Sequence, residues 1–193
     1  MITWQVASDG PLLRPDERLS RALVHPDRFS ELLADLGNVQ VAVPVLLVVL
    51  LYVAWRGRAS GTDRWWPAPL AAALLMALVP ALIVPVKELI ARGGTPAVPP
   101  GTGYYPSGHT ATAMIAYGAS TLVLLPWLRT SYARRGAVAI CVLLVAAVSF
   151  GLVRRGYHWP LDVVASWCLG TVLLASLRLF LDRFRSGSEP QPK

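Results

Sequence analysis

The stretch YYPSGHTATA, residues 104–113, lies between two strongly apolar segments of the 193-residue chain. It places a proline, a serine, a glycine and a histidine at positions 106–109 and then continues with apolar, helix-compatible residues. Ser107 is a favourable N-cap residue, and Gly108 allows a ligand to approach the backbone N–H groups of the first turn. The stretch therefore predicts a helix start that can hold an anion.

The composition around this stretch is that of a membrane protein. Over half of the residues are hydrophobic, and the net charge of +7 comes mostly from arginines between apolar segments, as membrane topology produces. We therefore predict membrane lipids, and not nucleic acid, as partners. Cys141 and Cys168 both lie in apolar runs, and no residue spacing resembles a metal motif, so the sequence predicts neither a metal site nor a cofactor.

Five segments are long and apolar enough to cross a bilayer, which takes about 20 residues. They cover residues 39–55, 67–86, 109–128, 137–153 and 161–181. Residues 1–38 are charged and carry apolar side chains at helical spacing, which predicts one or two amphipathic helices on the membrane surface. The expected fold is an all-α integral membrane bundle at 39–182, preceded by the amphipathic segment 1–38 and followed by a polar tail at 183–193. Within that tail we expect the stretch RSGSEPQPK, residues 185–193, to be disordered.

The distribution of arginines predicts the orientation of the bundle. The loops 56–66 and 129–136 and the C-terminal tail share one face, which carries most of the arginines and few acids. This excess marks that face as cytoplasmic. The opposite face, with the segment 1–38 and the loops 87–108 and 154–160, is then extracytoplasmic. We expect a bacterial inner-membrane protein whose functional site faces outward.

Three stretches stand at the outer ends of spans and therefore share the extracytoplasmic face. They are VKELIARGGTP at 86–96, YPSGHTA at 105–111 and VRRGYHWPLDVV at 153–164. Together they supply cations, a serine, two histidines and a carboxylate: Lys87, Arg92, Ser107, His109, Arg154, Arg155, His158 and Asp162. Lysine and arginine concentrate where a phosphate is held, and histidine can donate or accept a proton near neutral pH. The cluster predicts a phosphate-binding site with acid–base chemistry.

The spacing of His158 and Asp162 adds a nucleophile to this prediction. Asp162 comes four positions after His158, so the carboxylate can lie one helical turn from the imidazole. A carboxylate that holds one ring nitrogen leaves the other free to attack. The predicted site thus combines a nucleophile, its orienting acid, a second histidine as proton donor and a phosphate clamp.

In these motifs the sequence resembles the type-2 phosphatidic acid phosphatase superfamily, the membrane relatives of vanadium haloperoxidases. That family carries the motifs K-x6-R-P, P-S-G-H and S-R-x5-H-x3-D in this order. Here P-S-G-H matches at 106–109, H-x3-D matches at 158–162, and Lys87 matches the lysine of the first motif. The resemblance covers residues 67–175 and implies a metal-independent lipid phosphatase without a cofactor.

The resemblance also implies a role for each matched residue. His158 would be the nucleophile that forms a phosphohistidine, Asp162 would orient it, and His109 would protonate the leaving group. The Ser107 side chain and the Gly108 backbone would bind phosphate oxygens, and Lys87 would neutralise charge. The implied substrate is a lipid phosphomonoester or diphosphate, such as a polyprenyl diphosphate, a phosphatidic-acid-like lipid or a lipid-linked sugar phosphate.

The arginines of the first and third motifs are displaced in this sequence. In the first motif six residues follow the lysine before the Arg-Pro pair. After Lys87 that position holds Gly94 and Thr95, and Arg92 comes two places early. Ahead of the second histidine, the Ser-Arg pair falls on residues 151 and 152, which are glycine and leucine.

The displaced arginines leave alternatives open. Arg92 and Arg154 can reach the same phosphate from shifted positions, with Arg155 as a competitor, because an arginine side chain is long. If they do not, the chain is a catalytically weak or inactive lipid-phosphate-binding protein of the same fold. A phosphotransferase that passes the phosphoryl group to an alcohol would use the same residues.

The order of motifs and spans is also displaced by one helix. The family has six spans, and its motifs close the third and open the fourth and sixth, whereas here they close the second and open the third and fifth. Residues 9–38 resemble the amphipathic external stretch that precedes the family's second span. We therefore expect that the family's first helix is absent, either as a natural short form or because the start was placed late.

Overall fold

The computed structural model describes residues 2–61 and 64–186, and the regular elements of this part are all helical. They are α1 (Ile2–Ala7), α2 (Leu13–Leu23), α3 (Arg28–Asp35), α4 (Val39–Ala59), α5 (Pro67–Ile90), α6 (Gly108–Leu124), a 3-10 helix (Leu125–Trp127), α7 (Ser131–Arg155) and α8 (Pro160–Ser186).

Five of these helices, α4 to α8, are long and apolar enough to cross a membrane, with α6 continued by the 3-10 helix. The prediction of an all-α integral membrane bundle is thereby confirmed. α7 begins at Ser131, earlier than the predicted span, because the Thr130 side chain accepts a hydrogen bond from the Ala133 N–H at 3.1 Å and caps the helix. Polar residues thus extend the helices beyond their apolar runs.

α6 lies at the centre of the bundle and packs against α4, α5, α7 and α8. Of its most apolar stretch 61% is buried, against 28% or less in the other four spans. Small side chains allow this close packing, since Ala113, Ala116 and Ala119 are fully buried and a Cβ at Gly118 would collide with Leu174 of α8. The helix that carries His109 is therefore the most constrained in the fold.

The N-terminal segment contains three short helices, not the one or two that the sequence predicted. Gly10 and Pro11 separate α1 from α2. α3 begins as a separate helix because Asp27 and Ser30 form a capping box. The Asp27 carboxylate accepts from the Ser30 N–H at 2.6 Å, and the Ser30 hydroxyl accepts from the Asp27 N–H at 3.2 Å.

This segment turns its large apolar side chains outward. The exposed ones are Trp4, Leu12, Leu19, Leu23, Phe29 and Leu32. Its buried side chains are the polar Asp16, Ser20 and Ser30 and the smaller apolar Val6 and Ala34. An amphipathic segment with this polarity is suited to contact lipid with its apolar side.

The loop between α5 and α6 lies against the turn between α7 and α8. Ala91 adopts φ of 47° at the end of α5 and redirects the chain toward that turn. The Thr95 hydroxyl donates a hydrogen bond to the Gly156 carbonyl. Gly156 has φ of 80°, and a Cβ there would lie 2.6 Å from the Ala97 Cβ, so glycine is required both by conformation and by space.

The expected bundle boundaries at 39 and 182 fall near helix ends, since α4 begins at Val39 and α8 ends at Ser186. Residues 187–193 of the expected cytoplasmic tail lie outside the described residues.

Candidate active site

Hydrogen bonds join the start of α6 to the start of α8. The Ser107 N–H donates to the Asp162 carbonyl at 3.1 Å, and the Ser166 hydroxyl donates to the Ser107 carbonyl at 2.8 Å. Ser107 also caps α6, because its hydroxyl accepts from the Thr110 N–H at 3.3 Å. The predicted N-cap is confirmed, and two of the predicted site stretches are held together directly.

His158 and Asp162 form the predicted pair at this end of the bundle. His158 is 6% exposed and Asp162 is fully buried. The His158 Nδ1 lies 3.3 Å from the Asp162 Oδ2, which also accepts from the Trp159 N–H at 3.2 Å. Because the carboxylate engages Nδ1, the imidazole keeps Nε2 for other chemistry.

A pocket of about 270 Å³ opens in front of the two histidines. Its lining consists of Ala34, Asp35, Asn38, Val98, Tyr104, His109, Leu152, Tyr157 and His158. The ring centroids of His109 and His158 are 6.4 Å apart, and Tyr104 meets His158 edge-on at 6.2 Å. Both predicted histidines thus face one cavity.

Lys87 lies beside the N-terminus of α6. Its ammonium group donates to the Gly103 carbonyl at 2.7 Å. Its Cε lies 3.9 Å from the position that a Cβ of Gly108 would occupy. A helix N-terminus has backbone N–H groups without intrahelical acceptors, so the lysine charge and these donors converge on the same space.

Arg92 is engaged by two buried carboxylates. Its Nη1 lies 2.5 Å from the Asp162 Oδ1, and its Nη2 lies 2.6 Å from the Asp16 Oδ2. The guanidinium also lies over the Trp159 ring, 5.3 Å from its centroid. Arg92 therefore connects α2 to the carboxylate that holds the nucleophile candidate His158, and its predicted phosphate contact stays a prediction.

Asp16 is the site residue that the sequence reasoning missed. It is 4% exposed, and its Oδ1 accepts from the Leu161 N–H at 2.8 Å. Burial raises the pKa of the Asp16 carboxyl, although the hydrogen bonds from Arg92 and the Leu161 N–H act in the opposite direction. A signal was available, because Asp16 occurs at helical spacing between Leu12 and Leu19, where an apolar residue would be expected.

Arg154 and Arg155 contact acids of the N-terminal segment. Arg154 donates to the Asp27 Oδ2 at 3.0 Å, and Arg155 lies 3.6 Å from the Glu31 carboxylate. The pKa of the Asp27 carboxyl is lowered to about 2, first by the backbone N–H of Ser30 and then by the Arg154 guanidinium. The phosphate contacts predicted for these two arginines are untested.

The two residues at the family's Ser-Arg position have packing roles here. A Cβ at Gly151 would lie 2.6 Å from the Ala34 backbone nitrogen and 2.7 Å from the Ser30 carbonyl oxygen, so glycine lets α3 lie directly on α7. Leu152 is fully buried and lines the histidine pocket. The close packing of α3 thus accompanies the loss of the motif arginine.

Fold and site together define an all-α integral membrane protein with a histidine–aspartate pair at one end of its bundle. The model of the PAP2 superfamily matches residues 85–186, more than half of the 193 residues. The chain belongs to the PAP2 superfamily.

Two individual proteins are similar to this chain. The undecaprenyl-diphosphatase of Sulfolobus acidocaldarius is 36% identical over 67 residues, which are 35% of this chain and 28% of that protein. The crystal structure of a transmembrane PAP2 type phosphatidylglycerolphosphate phosphatase from Bacillus subtilis superposes with a TM-score of 0.72 at 22% identity. That likeness covers 98% of this chain and 95% of the other and supports the fold.

Proposed function

We propose that the chain is a membrane phosphatase that hydrolyses a phosphomonoester or a diphosphate of a lipid. The observation that carries the proposal is the His158 Nδ1–Asp162 contact of 3.3 Å, with His109 across the same pocket. The activities named for the two similar proteins, on undecaprenyl diphosphate and phosphatidylglycerolphosphate, support a lipid phosphate as the substrate class.

The reaction would proceed in two steps. In the first, the His158 Nε2 attacks the terminal phosphorus, and the bond from that phosphorus to the leaving oxygen breaks. The leaving oxygen is the lipid oxygen of a monoester or the bridging oxygen of a diphosphate, and His109 gives its proton to it. In the second, water attacks the phosphohistidine, His109 accepts the water proton, and inorganic phosphate leaves with His158 regenerated. Asp162 keeps the proton on Nδ1 and stabilises the charge that develops on the imidazole.

The phosphate would be held at the start of α6. The Ser107 hydroxyl, the Gly108 N–H and the Lys87 ammonium supply donors and charge there. Arg92, Arg154 and Arg155 remain candidates for the rest of the clamp. Each arginine would either exchange its carboxylate partner for a phosphate oxygen or donate to the carboxylate and the phosphate at the same time.

A phosphate-release assay on the detergent-purified chain tests this function. The substrates are a polyprenyl diphosphate, phosphatidic acid and phosphatidylglycerolphosphate, each with and without EDTA. We expect release from at least one of them, unchanged by EDTA, because cations and the helix start take the place of a metal ion in the proposed mechanism. Loss of release in EDTA, with recovery on adding a divalent cation, would contradict the metal-independent step.

A second candidate function is lipid-phosphate binding without hydrolysis. It is favoured by one observation, that each of the three arginines near the site contacts a carboxylate of the N-terminal segment: Arg92 with Asp16, Arg154 with Asp27, and Arg155 with Glu31. In that case the chain would bind the lipids of the assay but release no phosphate. Transfer of the phosphoryl group to added glycerol would instead indicate a phosphotransferase.

Replacing His109 by alanine is expected to lower phosphate release by about 10²–10⁴-fold, the usual contribution of a general acid. With an aryl phosphate that has an acidic phenol as its leaving group, the same variant should lose much less of its phosphate-release rate, because that leaving oxygen needs no proton. Comparing phosphate release from the two substrates in this variant tests whether His109 donates the proton. An equal loss on both substrates would contradict proton donation by His109.

Replacing Lys87 by alanine is expected to raise KM by about tenfold to a hundredfold, since a hydrogen bond to a charged group contributes about 1.5–3 kcal/mol. Arg21→Ala is the matched control, because that guanidinium is exposed and pairs with Glu17 in the N-terminal segment. A KM increase in the control as large as that in Lys87→Ala would contradict a phosphate contact by Lys87.

The proposed orientation places the histidine pocket on the extracytoplasmic side of a bacterial inner membrane. The support is the charge asymmetry of the sequence, because arginines concentrate at the opposite end of the bundle. Among them, Arg56 stacks on Trp127 at 5.7 Å and Arg58 on Trp65 at 5.6 Å. Such cation–aromatic pairs are suited to a membrane interface.

A further inference from the structure

A groove of about 620 Å³ lies between α6, α7 and α8 at the end of the bundle remote from the histidines. Three arginines line it: Arg134 and Arg135 from the first turn of α7, and Arg178 from α8. The rest of the lining is apolar, with residues such as Leu122, Val138 and Leu181. The groove therefore has charge and apolar surface in one cavity.

On α7 the arginines of the groove lie nearer the helix end than the apolar lining does, whereas on α8 Arg178 lies about one turn deeper than Leu181. α7 begins at Ser131, so Arg134 and Arg135 stand near its end, while Val138 lies about one turn deeper at about 1.5 Å per residue. Leu122 lies in the helical part of α6, before the 3-10 helix that closes that span. A ligand that fits this combination of arginines and apolar side chains has an anionic head and an apolar tail.

The arginines retain capacity to bind an anion. Arg134 uses its Nε for the Leu128 carbonyl at 3.0 Å, and Arg178 uses its Nε for the Asp182 carboxylate at 2.8 Å. The Arg135 side chain makes no hydrogen bond or ion pair with residues 2–61 or 64–184. Guanidinium groups that present several N–H donors match phosphate oxygens in pairs.

We propose that this groove binds an anionic phospholipid of the adjacent leaflet, with its phosphate on the arginines and an acyl chain along the apolar wall. Basic pockets between transmembrane helices are suited to such headgroups. A second copy of the chain fits less well, since a twofold contact at this surface would bring arginines against arginines. The site is separate from the histidine pocket and does not depend on its chemistry.

Binding of phosphatidylglycerol to the detergent-purified full chain tests the proposal, with native mass spectrometry and thermal unfolding as the two readouts. The variant is Arg134→Gln with Arg135→Gln. The matched control is Arg58→Gln with Arg64→Gln, which removes two positive charges from the same end of the bundle but outside the groove. We expect the groove variant to bind about thirtyfold more weakly, the factor for two lost arginine–headgroup contacts, and the control to bind as wild type does.

Two further ligands, phosphatidylcholine and inorganic phosphate, distinguish the sources of the ligand chemistry. Phosphatidylcholine should bind at least tenfold more weakly than phosphatidylglycerol, and inorganic phosphate at the same concentration should neither shift the unfolding temperature nor displace the lipid. Equal weakening in the groove variant and the control would overturn the proposal, as would equal binding of the two lipids. Displacement by inorganic phosphate would overturn it in favour of a site for the free anion. Without lipid, both variants should unfold at the wild-type temperature. This result excludes misfolding as the cause of weaker lipid binding.

Discussion

Replacing His158 by alanine is expected to lower phosphate release by about 10⁴-fold or more, because the proposed mechanism then has no nucleophile. His158 is 6% exposed and lines the pocket, so removal of its imidazole leaves a small cavity beside Asp162. The variant should still fold, because the α6–α8 backbone contacts, such as Ser107 N–H to the Asp162 carbonyl, do not involve the ring. Release kinetics on the best lipid substrate provide the measurement.

His25→Ala is the matched control for this experiment. His25 is exposed in the N-terminal segment, and its backbone N–H donates a hydrogen bond to the Arg154 carbonyl. It should release phosphate at the wild-type rate. If His158→Ala and His25→Ala both release phosphate as wild type does, the chain does not use His158 as its nucleophile.

Replacing Arg92 by alanine is expected to lower the free energy of unfolding by about 3–5 kcal/mol, the usual effect of removing one partner from a buried ion pair. Asp16 and Asp162, 4% and 0% exposed, would be left without their shared cation. Unfolding in mixed micelles gives the measurement. Arg21→Ala is the control, because Arg21 forms an exposed pair with Glu17 at 3.8 Å and should change stability by well under 1 kcal/mol.

The kinetics of Arg92→Ala separate two roles for this arginine. If Arg92 positions Asp162, kcat falls and KM changes little, because the nucleophile loses its orientation while substrate contacts remain. If Arg92 contacts the phosphate, KM rises. The geometry favours the first result, since the two terminal nitrogens already lie 2.5 and 2.6 Å from carboxylates. If Arg92→Ala lowers the free energy of unfolding by no more than Arg21→Ala does, the proposed stabilisation by the buried ion pairs of Arg92 is wrong.

The sequence predicted the bundle and the centre of the site because both depend on local signals. Five apolar runs of membrane length predicted the five spans, and Ser107, Gly108 and His109 predicted the capped start of α6. The four-residue spacing predicted the contact of His158 with Asp162. These features depend on hydropathy, capping and helical periodicity, which can be read without knowing the tertiary structure.

The partners of the arginines could not be predicted in the same way. Asp16 and Arg92 are 76 residues apart, and Arg154 and Asp27 are 127 residues apart. Their contacts depend on how the N-terminal helices lie on the bundle, which is set by packing such as that of α3 against Gly151. An ion pair over such a separation leaves no periodic signal along the chain.

The most direct test of the central claim is to trap the covalent intermediate. Wild-type chain is mixed with a lipid substrate that carries radioactive phosphorus, quenched within one turnover under alkaline conditions that preserve phosphohistidine, and digested. We predict label on the peptide that contains His158 and none on that peptide in His158→Ala. Label on another residue, or rapid phosphate release without any labelled peptide, would contradict a phosphohistidine at His158.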